Sequence, residues 1–276
     1  MNKNIKMVGL DLDGTLLTSQ KKVSEYTRQV LEKAVEQGCV VLMSTGRPLS
    51  AVSKEVLELK GMKYAVTVNG AKILNLETGE VLLAKPLPIE LAVQILDICC
   101  DYDSIPELIT DGHIYTNAMC LTHLEDYYAH PSMIEYVLNT RTPIEDVKVM
   151  LQEIKQPMDK MRAVFRYPEE RLAARKRLEQ LSGIVITNSS DVDLEINLEG
   201  VDKGQGLLWL GEQLGIRREE IMACGDSYND YGMLKAVGFA VAMGNAEDEV
   251  KAIADYITDT NDCDGVAKAI ERFVLK

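Results

Sequence analysis

Two acidic segments, each directly after an apolar run, hold most of the chemistry open to this 276-residue chain. The first is Asp11-Leu12-Asp13-Gly14-Thr15, which follows Met7–Leu10. Residues two apart on a strand face the same side, so Asp11 and Asp13 are expected to converge where that strand ends. A carboxylate can attack phosphorus and form an acyl phosphate, the role that suits Asp11. Asp13 could protonate the leaving oxygen and then deprotonate the attacking water. Taken alone, the segment reads equally well as an Asp-Gly turn that caps a helix.

The second segment changes that balance. Ile221-Met222-Ala223-Cys224 reads as a buried strand and runs into Gly225-Asp226-Ser227-Tyr228-Asn229-Asp230. Carboxylates gathered from two strand ends repel one another unless a cation joins them. Magnesium suits such a site, because it takes one or two carboxylates together with water and phosphate oxygens. Asp11 and Asp226 are the expected direct side-chain ligands, with Asp13 offering its backbone carbonyl. Asp230 would either ligate through water or anchor a lysine.

Two further segments suit a phosphate group. Ser44-Thr45-Gly46-Arg47-Pro48 follows the apolar run Val40–Met43 and enters a helix. There a hydroxyl, backbone N–H groups and a helix N-terminus make an anion site. Thr45 is the expected phosphate contact, and Ser44 reads better as an N-cap. In Val201-Asp202-Lys203-Gly204, Lys203 precedes a helix, where the macrodipole disfavours a cation. A lysine kept there points to a charge that needs balancing, namely Asp11 and a bound phosphate.

The elements that would position these groups follow from the apolar pattern. The first part reads β-α-β-α-β: Met7–Leu10, a helix over Glu25–Gln37, Val40–Met43, a helix over Leu49–Leu59, and Ala65–Val68. The first two strands are continuously apolar, as in a parallel sheet covered on both faces. Lys72–Leu76 and Glu80–Leu83 then read as a hairpin. From about Lys85 the pattern shifts to α+β: a helix over Leu87–Cys100, a hairpin around Asp111-Gly112, a strand over Met161–Tyr167, a helix over Pro168–Leu181 and a strand over Ile184–Thr187. After about Asp191 the alternation resumes, with Leu194–Leu198, a helix over Gly206–Leu214, Ile221–Cys224 and Phe239–Met243. The expected fold is α/β, a doubly wound, parallel-sheet, Rossmann-like core with an inserted α+β cap domain. The core would comprise residues 1–84 and 191–276, and the cap 85–190.

Composition narrows the partners. A formal charge of −13 argues against nucleic-acid binding, which demands a basic face. An anionic substrate would then need local positive charge from a metal, a lysine or helix N-termini. No apolar run is long enough to span a bilayer, so no membrane partner is expected. The N-terminus from Met1 to Lys6 has no signal-peptide pattern, which makes a cytoplasmic location the expectation. The six cysteines form no Cys-x-x-Cys pair, and a count of only three histidines argues against a histidine-rich metal centre. Nothing in the pattern specifies an oligomeric state.

In their order, Asp11-Leu12-Asp13-Gly14-Thr15, Ser44-Thr45-Gly46-Arg47, Lys203-Gly204 and Gly225-Asp226-Ser227-Tyr228-Asn229-Asp230 resemble the motifs of the haloacid dehalogenase superfamily. More narrowly, the chain resembles the Cof-type sugar phosphatases, whose cap is inserted between the second and third motifs. Asn69-Gly70-Ala71, Val241-Ala242-Met243-Gly244-Asn245-Ala246 and Asp264-Gly265-Val266-Ala267 are similar to that subfamily too. The resemblance implies Asp11 as nucleophile and Asp13 as acid/base. It implies a phosphate cradle of the Leu12 N–H, Thr45, Gly46, Lys203 and Asn229, with magnesium on Asp226 and Asp230 supporting the metal site. The implied activity is hydrolysis of small phosphorylated metabolites, sugar phosphates above all. A phosphomutase and a non-catalytic phosphometabolite sensor are the alternatives. Dehalogenation needs neither Asp13 nor a metal site. In the cap, His113, Tyr115, Asn117 and the acids near Asp126 read as substrate contacts or as plain surface positions, the latter preferred.

Overall fold

The computed structural model describes residues 4–154 and 156–275. The reading of the N-terminus therefore rests partly on Met1–Lys3, outside the described residues. The chain divides into two units: Met1–Arg47, Val52–Ala84 and Asp202–Lys276 form the first, and Pro48–Ala51 with Lys85–Val201 the second.

The first unit is built on an eight-stranded sheet. Its strands are β1 (Met7–Leu10), β2 (Val40–Ser44), β3 (Tyr64–Thr67), β4 (Lys72–Asn75), β5 (Val81–Ala84), β12 (Ile221–Gly225), β13 (Phe239–Ala242) and β14 (Tyr256–Ile257). Their order is β14-β13-β12-β1-β2-β3-β4-β5. The six strands from β14 to β3 run parallel, and β4 and β5 return as an antiparallel hairpin. β1 lies between β12 and β2, so the chain winds outward on both sides of it, which makes this the switch point where open α/β sheets bind ligands. All four residues of β1 and all five of β12 are buried, as continuous apolar strands between two helical layers must be. Each fully buried Leu, Met or Val here contributes about 1.5–3 kcal/mol.

Helices in this unit include α1 (Glu25–Glu36), α2 (Lys54–Leu57), α7 (Lys203–Gln213), α8 (Tyr231–Ala236), α9 (Asp248–Ala252) and α10 (Gly265–Phe273). The helix expected over Leu49–Leu59 is replaced by a 3-10 turn at Leu49–Ala51 and the short α2. Ser53 breaks the run by taking an extended conformation at the N-cap of α2. α7 starts earlier than expected, with Lys203 as its first residue. The Asp202 side chain caps it, accepting from the Gly204 and Gln205 N–H groups at 2.6 and 2.9 Å.

The second unit is the inserted α+β domain. It holds a six-stranded sheet of β6 (Ser104–Thr110), β7 (His113–Asn117), β8 (Arg141–Ile144), β9 (Lys160–Phe165), β10 (Ile184–Thr187) and β11 (Asp193–Leu198), in the order β10-β11-β9-β6-β7-β8. Helices α3 (Ile89–Cys100), α5 (Val147–Ile154) and α6 (Pro168–Leu178) bury the apolar residues of one sheet face, with Leu108, Met161, Phe165 and Ile196 in the same core. A helix α4 (Pro131–Thr140) covers part of the other face, around Ile105 and Val164.

One boundary differs from the expected one. The strand at Leu194–Leu198, assigned to the returning core, is β11 of the inserted sheet, paired with β9 and β10. The unit therefore ends at Val201 rather than at 190. Its alternation explains the difference: Asp193, Glu195 and Asn197 take one face and Leu194 and Ile196 the other, the pattern of an antiparallel strand with one polar face. Those polar residues join a buried ion network. Glu107 accepts from Arg141 at 2.7 and 3.1 Å and from Arg162 at 3.0 Å, Arg162 reaches Asp193 at 2.8 Å, and Lys160 meets Glu195 at 2.8 Å. Burial pushes the Glu107 carboxyl up, but Arg141 and Arg162 outweigh it and bring it down to about 2. Three acids meet three bases, so the network is buried without carrying net charge.

Candidate active site

Register sets the site. Leu10 pairs with Cys224 on one side and with Met43 on the other, so the residues after each strand emerge level at the carboxyl edge. Asp11 follows β1, Thr45 follows β2 and Asp226 follows β12. The Asp11 N–H donates to Cys224 O at 3.1 Å, which extends the pairing by one residue and fixes the Asp11 backbone.

The Asp11 side chain is buried and meets Lys203. The ammonium is fully buried and donates to Asp11 Oδ1 and Asp230 Oδ1, both at 2.6 Å. Asp230 Oδ2 accepts from the N–H groups of Asp226 and Ser227, at 3.0 and 3.2 Å. Both oxygens of Asp230 are thus engaged, and of the two roles open to it this structure shows the lysine anchor. Asp226 accepts from the Thr15 hydroxyl at 2.6 Å. Carboxylate oxygens of Asp11, Asp226 and Asp230 lie within 4.8 Å of one another, a group that could hold a metal ion.

Asp13 does not join that group. The strand ends at Leu10, so the alternation that would align Asp11 with Asp13 no longer operates across them. Instead Asp13 forms a bridge with Leu17, and its carboxylate accepts from Arg47 Nε and Nη2 at 2.7 and 2.6 Å and from Lys21 Nζ at 2.6 Å. Gly14 beside it has φ of +78°, and a Cβ there would stand 2.3 Å from Asp226 Oδ2. Only glycine allows the loop to pass so close to that carboxylate.

The residues expected to cradle a phosphate come from the loops after β1, β2 and β12, with Lys203 at the start of α7. Leu12 is fully buried, and its N–H has no protein acceptor among the described residues. Thr45 is 2% exposed, with its N–H on Val66 O and its hydroxyl accepting from the Arg47 N–H at 3.2 Å. Gly46 is half-buried between Thr45 and Arg47. Asn229 sits in the loop after β12 with its Oδ1 accepting from the Ser227 hydroxyl at 2.8 Å, and no hydrogen bond joins it to Thr45 or Lys203 among the described residues. Ser44 is no N-cap: it closes β2, and its buried hydroxyl has no partner among the described residues.

The comparisons with known proteins bear on this arrangement. A sequence model of the haloacid dehalogenase-like hydrolases matches residues 8–270, a span that contains every group named above. The chain belongs to that family. It is 33% identical to a 5-amino-6-(5-phospho-D-ribitylamino)uracil phosphatase of Bacillus subtilis, over 99% of this chain and 97% of the relative. It is 29% identical to a pyridoxal phosphate phosphatase of Escherichia coli, over 96% of this chain and 97% of the relative. Among solved structures, a haloacid dehalogenase-like hydrolase from B. subtilis superposes with a TM-score of 0.87 at 31% identity, covering 97% of this chain and 99% of that one.

In this haloacid dehalogenase-like hydrolase the site is electrostatically incomplete as protein alone. Asp11, Asp226 and Asp230 set three carboxylates against the single ammonium of Lys203. Burial, then the neighbouring Asp230, drives the Asp11 carboxyl well above its ordinary value, although Lys203 opposes the shift. The same two causes, in the same order, lift Asp226 to about 7. For Lys203, burial works downward, but Asp11 and Asp230 outweigh it and keep the ammonium charged. Partial burial pushes Asp13 upward, yet Arg47 and Lys21 together hold it below its usual range.

Four contributors escaped the sequence reading. Arg47 stood inside a quoted motif without a role; a cation two residues after Thr45 was the available signal. Thr15 and Gly14 likewise lay inside the first motif. Lys21 had no signal, because its approach to Asp13 depends on a left-handed turn at φ 60°. Of the residues considered in the insert, Asn117 caps α5 by accepting from the Val147 N–H at 2.8 Å, and Tyr115 packs into the helix-covered core. His113 is exposed, and Asp126 pairs with Arg166 at 3.2 Å. Among the described residues no helix is long and apolar enough to cross a membrane.

Proposed function

We propose that this hydrolase is a magnesium-dependent phosphatase of small phosphate monoesters, sugar phosphates among them, acting through a phosphorylated Asp11. The observation that carries the reading is the buried Asp11 carboxylate, held on Oδ1 by Lys203 at 2.6 Å and clustered with Asp226 at the carboxyl edge of the sheet. Two phosphatase relatives of matching length support it.

In the first half-reaction an Asp11 oxygen attacks phosphorus and the bond from phosphorus to the leaving oxygen breaks. That oxygen takes a proton from Asp13. In the second, Asp13 takes a proton from water as the water oxygen attacks phosphorus, the Asp11–phosphorus bond breaks, and inorganic phosphate departs. Asp13 enters as an acid only once its pairing with Arg47 and Lys21 opens, because that pairing keeps it ionised. The Leu12 N–H, Thr45, Gly46 and Asn229 would hold the phosphoryl oxygens. Lys203 balances their charge while keeping Asp11 oriented.

The donor set fits magnesium: hard carboxylate oxygens in a site whose acids exceed its fixed cation. Asp11 and Asp226 would bind it directly, with the Asp13 carbonyl, and Asp230 would act from behind through Lys203 or a water. When bound, the ion neutralises charge on the phosphoryl group during transfer.

The direct test is phosphate release, with magnesium, from a panel of sugar phosphates, pyridoxal phosphate, nucleotides and 5-amino-6-(5-phospho-D-ribitylamino)uracil. Turnover of several esters is expected. Binding without turnover of any ester would replace the phosphatase by a phosphometabolite sensor.

A second measurement isolates the ion. Asp11 and Asp226 have folded-state pKa values raised above their unfolded ones, so the folded metal-free protein holds extra protons there. Their contribution to stability is favourable at low pH and is lost as pH rises toward and past about 7. Magnesium must displace those protons, so the rise in Tm on adding it should be small at pH 5.5 and several degrees at pH 8. Asp226→Asn should abolish the rise. An equal rise at both pH values would remove magnesium from these carboxylates.

A further inference from the structure

Val68–Asn69–Gly70 follows β3 in a conformation that most side chains resist. The three φ angles are 53°, 58° and 97°. For Val68 this is a genuine outlier, since a branched Cβ crowds the backbone at positive φ, whereas asparagine tolerates the region and glycine is free in it. Consecutive residues stay in such a conformation only where their surroundings over-determine it.

Those surroundings are two parts of the active site. On one side the Val68 N–H donates to Arg47 O at 3.2 Å and the Asn69 N–H to Thr45 O at 3.1 Å, while the Thr45 N–H donates to Val66 O at 2.9 Å. The loop Thr45-Gly46-Arg47 is therefore stitched to this segment at both ends. On the other side Gly70 lies against the residue that caps α7. A Cβ on Gly70 would stand 2.3 Å from Asp202 O and 3.4 Å from Lys203 N. The segment is thus the spacer between the loop that carries Thr45 and the helix end that carries Lys203.

We infer that Val68–Asn69–Gly70 is a positioning element for phosphoryl transfer, in which Gly70, by the close approach it alone permits, sets the separation of Lys203 from the Thr45 loop. The inference rests on the phosphatase reading and deepens it: Gly70 acts through Lys203 and Thr45, and the strain at Val68 persists because the site requires this spacing. A segment that merely turned the chain would have no need of it.

Gly70→Ala is best compared with Gly79→Ala. Gly79 has a φ of +73° with nothing within 4 Å of where a Cβ would lie, so its substitution carries a similar backbone penalty away from the site. With p-nitrophenyl phosphate and magnesium, kcat of Gly70→Ala should fall on the order of 10²-fold, the effect of a displacement of roughly 1 Å at reacting groups. KM should change little. Affinity for orthovanadate, which adopts the five-coordinate geometry of the transferring group, should fall in step with kcat. Gly79→Ala should lower Tm while keeping the wild-type kcat and vanadate affinity.

Equal kcat in the two variants, or a Gly70→Ala loss that matches only its unfolded fraction, would overturn the inference. Should Gly70→Ala not accumulate as folded protein, Gly206→Ala serves instead. Its methyl would meet Val66 Cγ1 at 2.7 Å and lie 3.5 Å from the Gly70 Cα, displacing α7 from the same spacer. A kcat loss of about tenfold with retained KM is expected there, and wild-type kcat would overturn the inference. A wild-type protein inert on every phosphoester takes away the phosphatase reading and this inference together. An active wild type with an unaffected Gly70→Ala takes away only the inference.

Discussion

Asp11→Asn should lose at least ~10⁴-fold in kcat while remaining folded, because removal of a covalent nucleophile leaves only positioning and electrostatics to act on the ester. Asparagine keeps the shape of the side chain and can still offer its amide oxygen to Lys203. It lacks the negative oxygen that must bond to phosphorus. The physical setting makes the folding half of this prediction specific. Asp11 is a buried acid whose ionised form is opposed by burial and by Asp230. Neutralising it relieves a repulsion, so metal-free Asp11→Asn should unfold at a Tm no lower than that of the wild type at pH 8. A second readout follows the intermediate itself. Wild-type protein mixed with labelled substrate and quenched in acid should carry label that hydroxylamine removes, as an acyl phosphate does, and Asp11→Asn should carry none. Label retained by the variant, or equal phosphate release from both proteins, would assign the nucleophile elsewhere.

The edge of the sheet was legible in the sequence for a simple reason. Continuous apolar runs such as Met7–Leu10 and Ile221–Cys224 have no amphipathic alternative in a protein of this charge, and parallel strands leave their ends at one edge. Asp11, Thr45 and Asp226 therefore emerge at one edge, where the register sets them level. What lay beyond the strand ends was less legible. The alternation rule linked Asp11 to Asp13, but it holds only while the backbone stays extended, and the chain turns after Leu10. Of the partners of Asp13, Arg47 was signalled only as a cation two residues after Thr45, and Lys21 comes from a left-handed turn whose approach no spacing encodes. The insert shows the complementary failure. Leu194–Leu198 was recognisable as a strand, but the sheet it joins is decided by the polar residues between its apolar ones. Glu195 and Asn197 face a buried ion network that is invisible until Arg162 and Lys160 are placed opposite them. Asn69-Gly70 entered the sequence reading only by its likeness to the subfamily, because the Asp202 carbonyl that Gly70 lies against is far along the chain.

Lys203→Met should cost both stability and rate, and the two losses should separate when Asp230→Asn is added. Lys203 is fully buried and touches Asp11 and Asp230 at 2.6 Å each. Methionine keeps an unbranched chain, slightly shorter, but leaves two buried carboxylates without their counter-ion, a change that costs about 3–5 kcal/mol. Asp11, no longer opposed by the lysine, can escape by taking up a proton, which fixes the sign of the pH dependence. Its folded-state pKa, already raised, rises further above the unfolded one, so the variant is close to the wild type in stability at pH 5 and falls behind as pH increases. Asp230→Asn in the same chain removes one orphaned charge and keeps a side-chain oxygen for the Asp226 and Ser227 N–H groups. Most of the lost stability at pH 8 should return. The rate should not. In the proposed reaction the ammonium would stabilise charge on the transferring phosphoryl group, a contribution on the order of 10²–10³ in kcat that neither methionine nor asparagine supplies. Urea unfolding at pH 5 and pH 8, run beside steady-state kinetics on the single and double variants, reads both quantities. If kcat recovered along with stability in the double variant, Lys203 would be a structural counter-ion for Asp230 and no part of the chemistry. If stability recovered alone, the same ammonium would hold the fold of the site together and act on the phosphate, which is why it can occupy a helix N-terminus where the macrodipole opposes it.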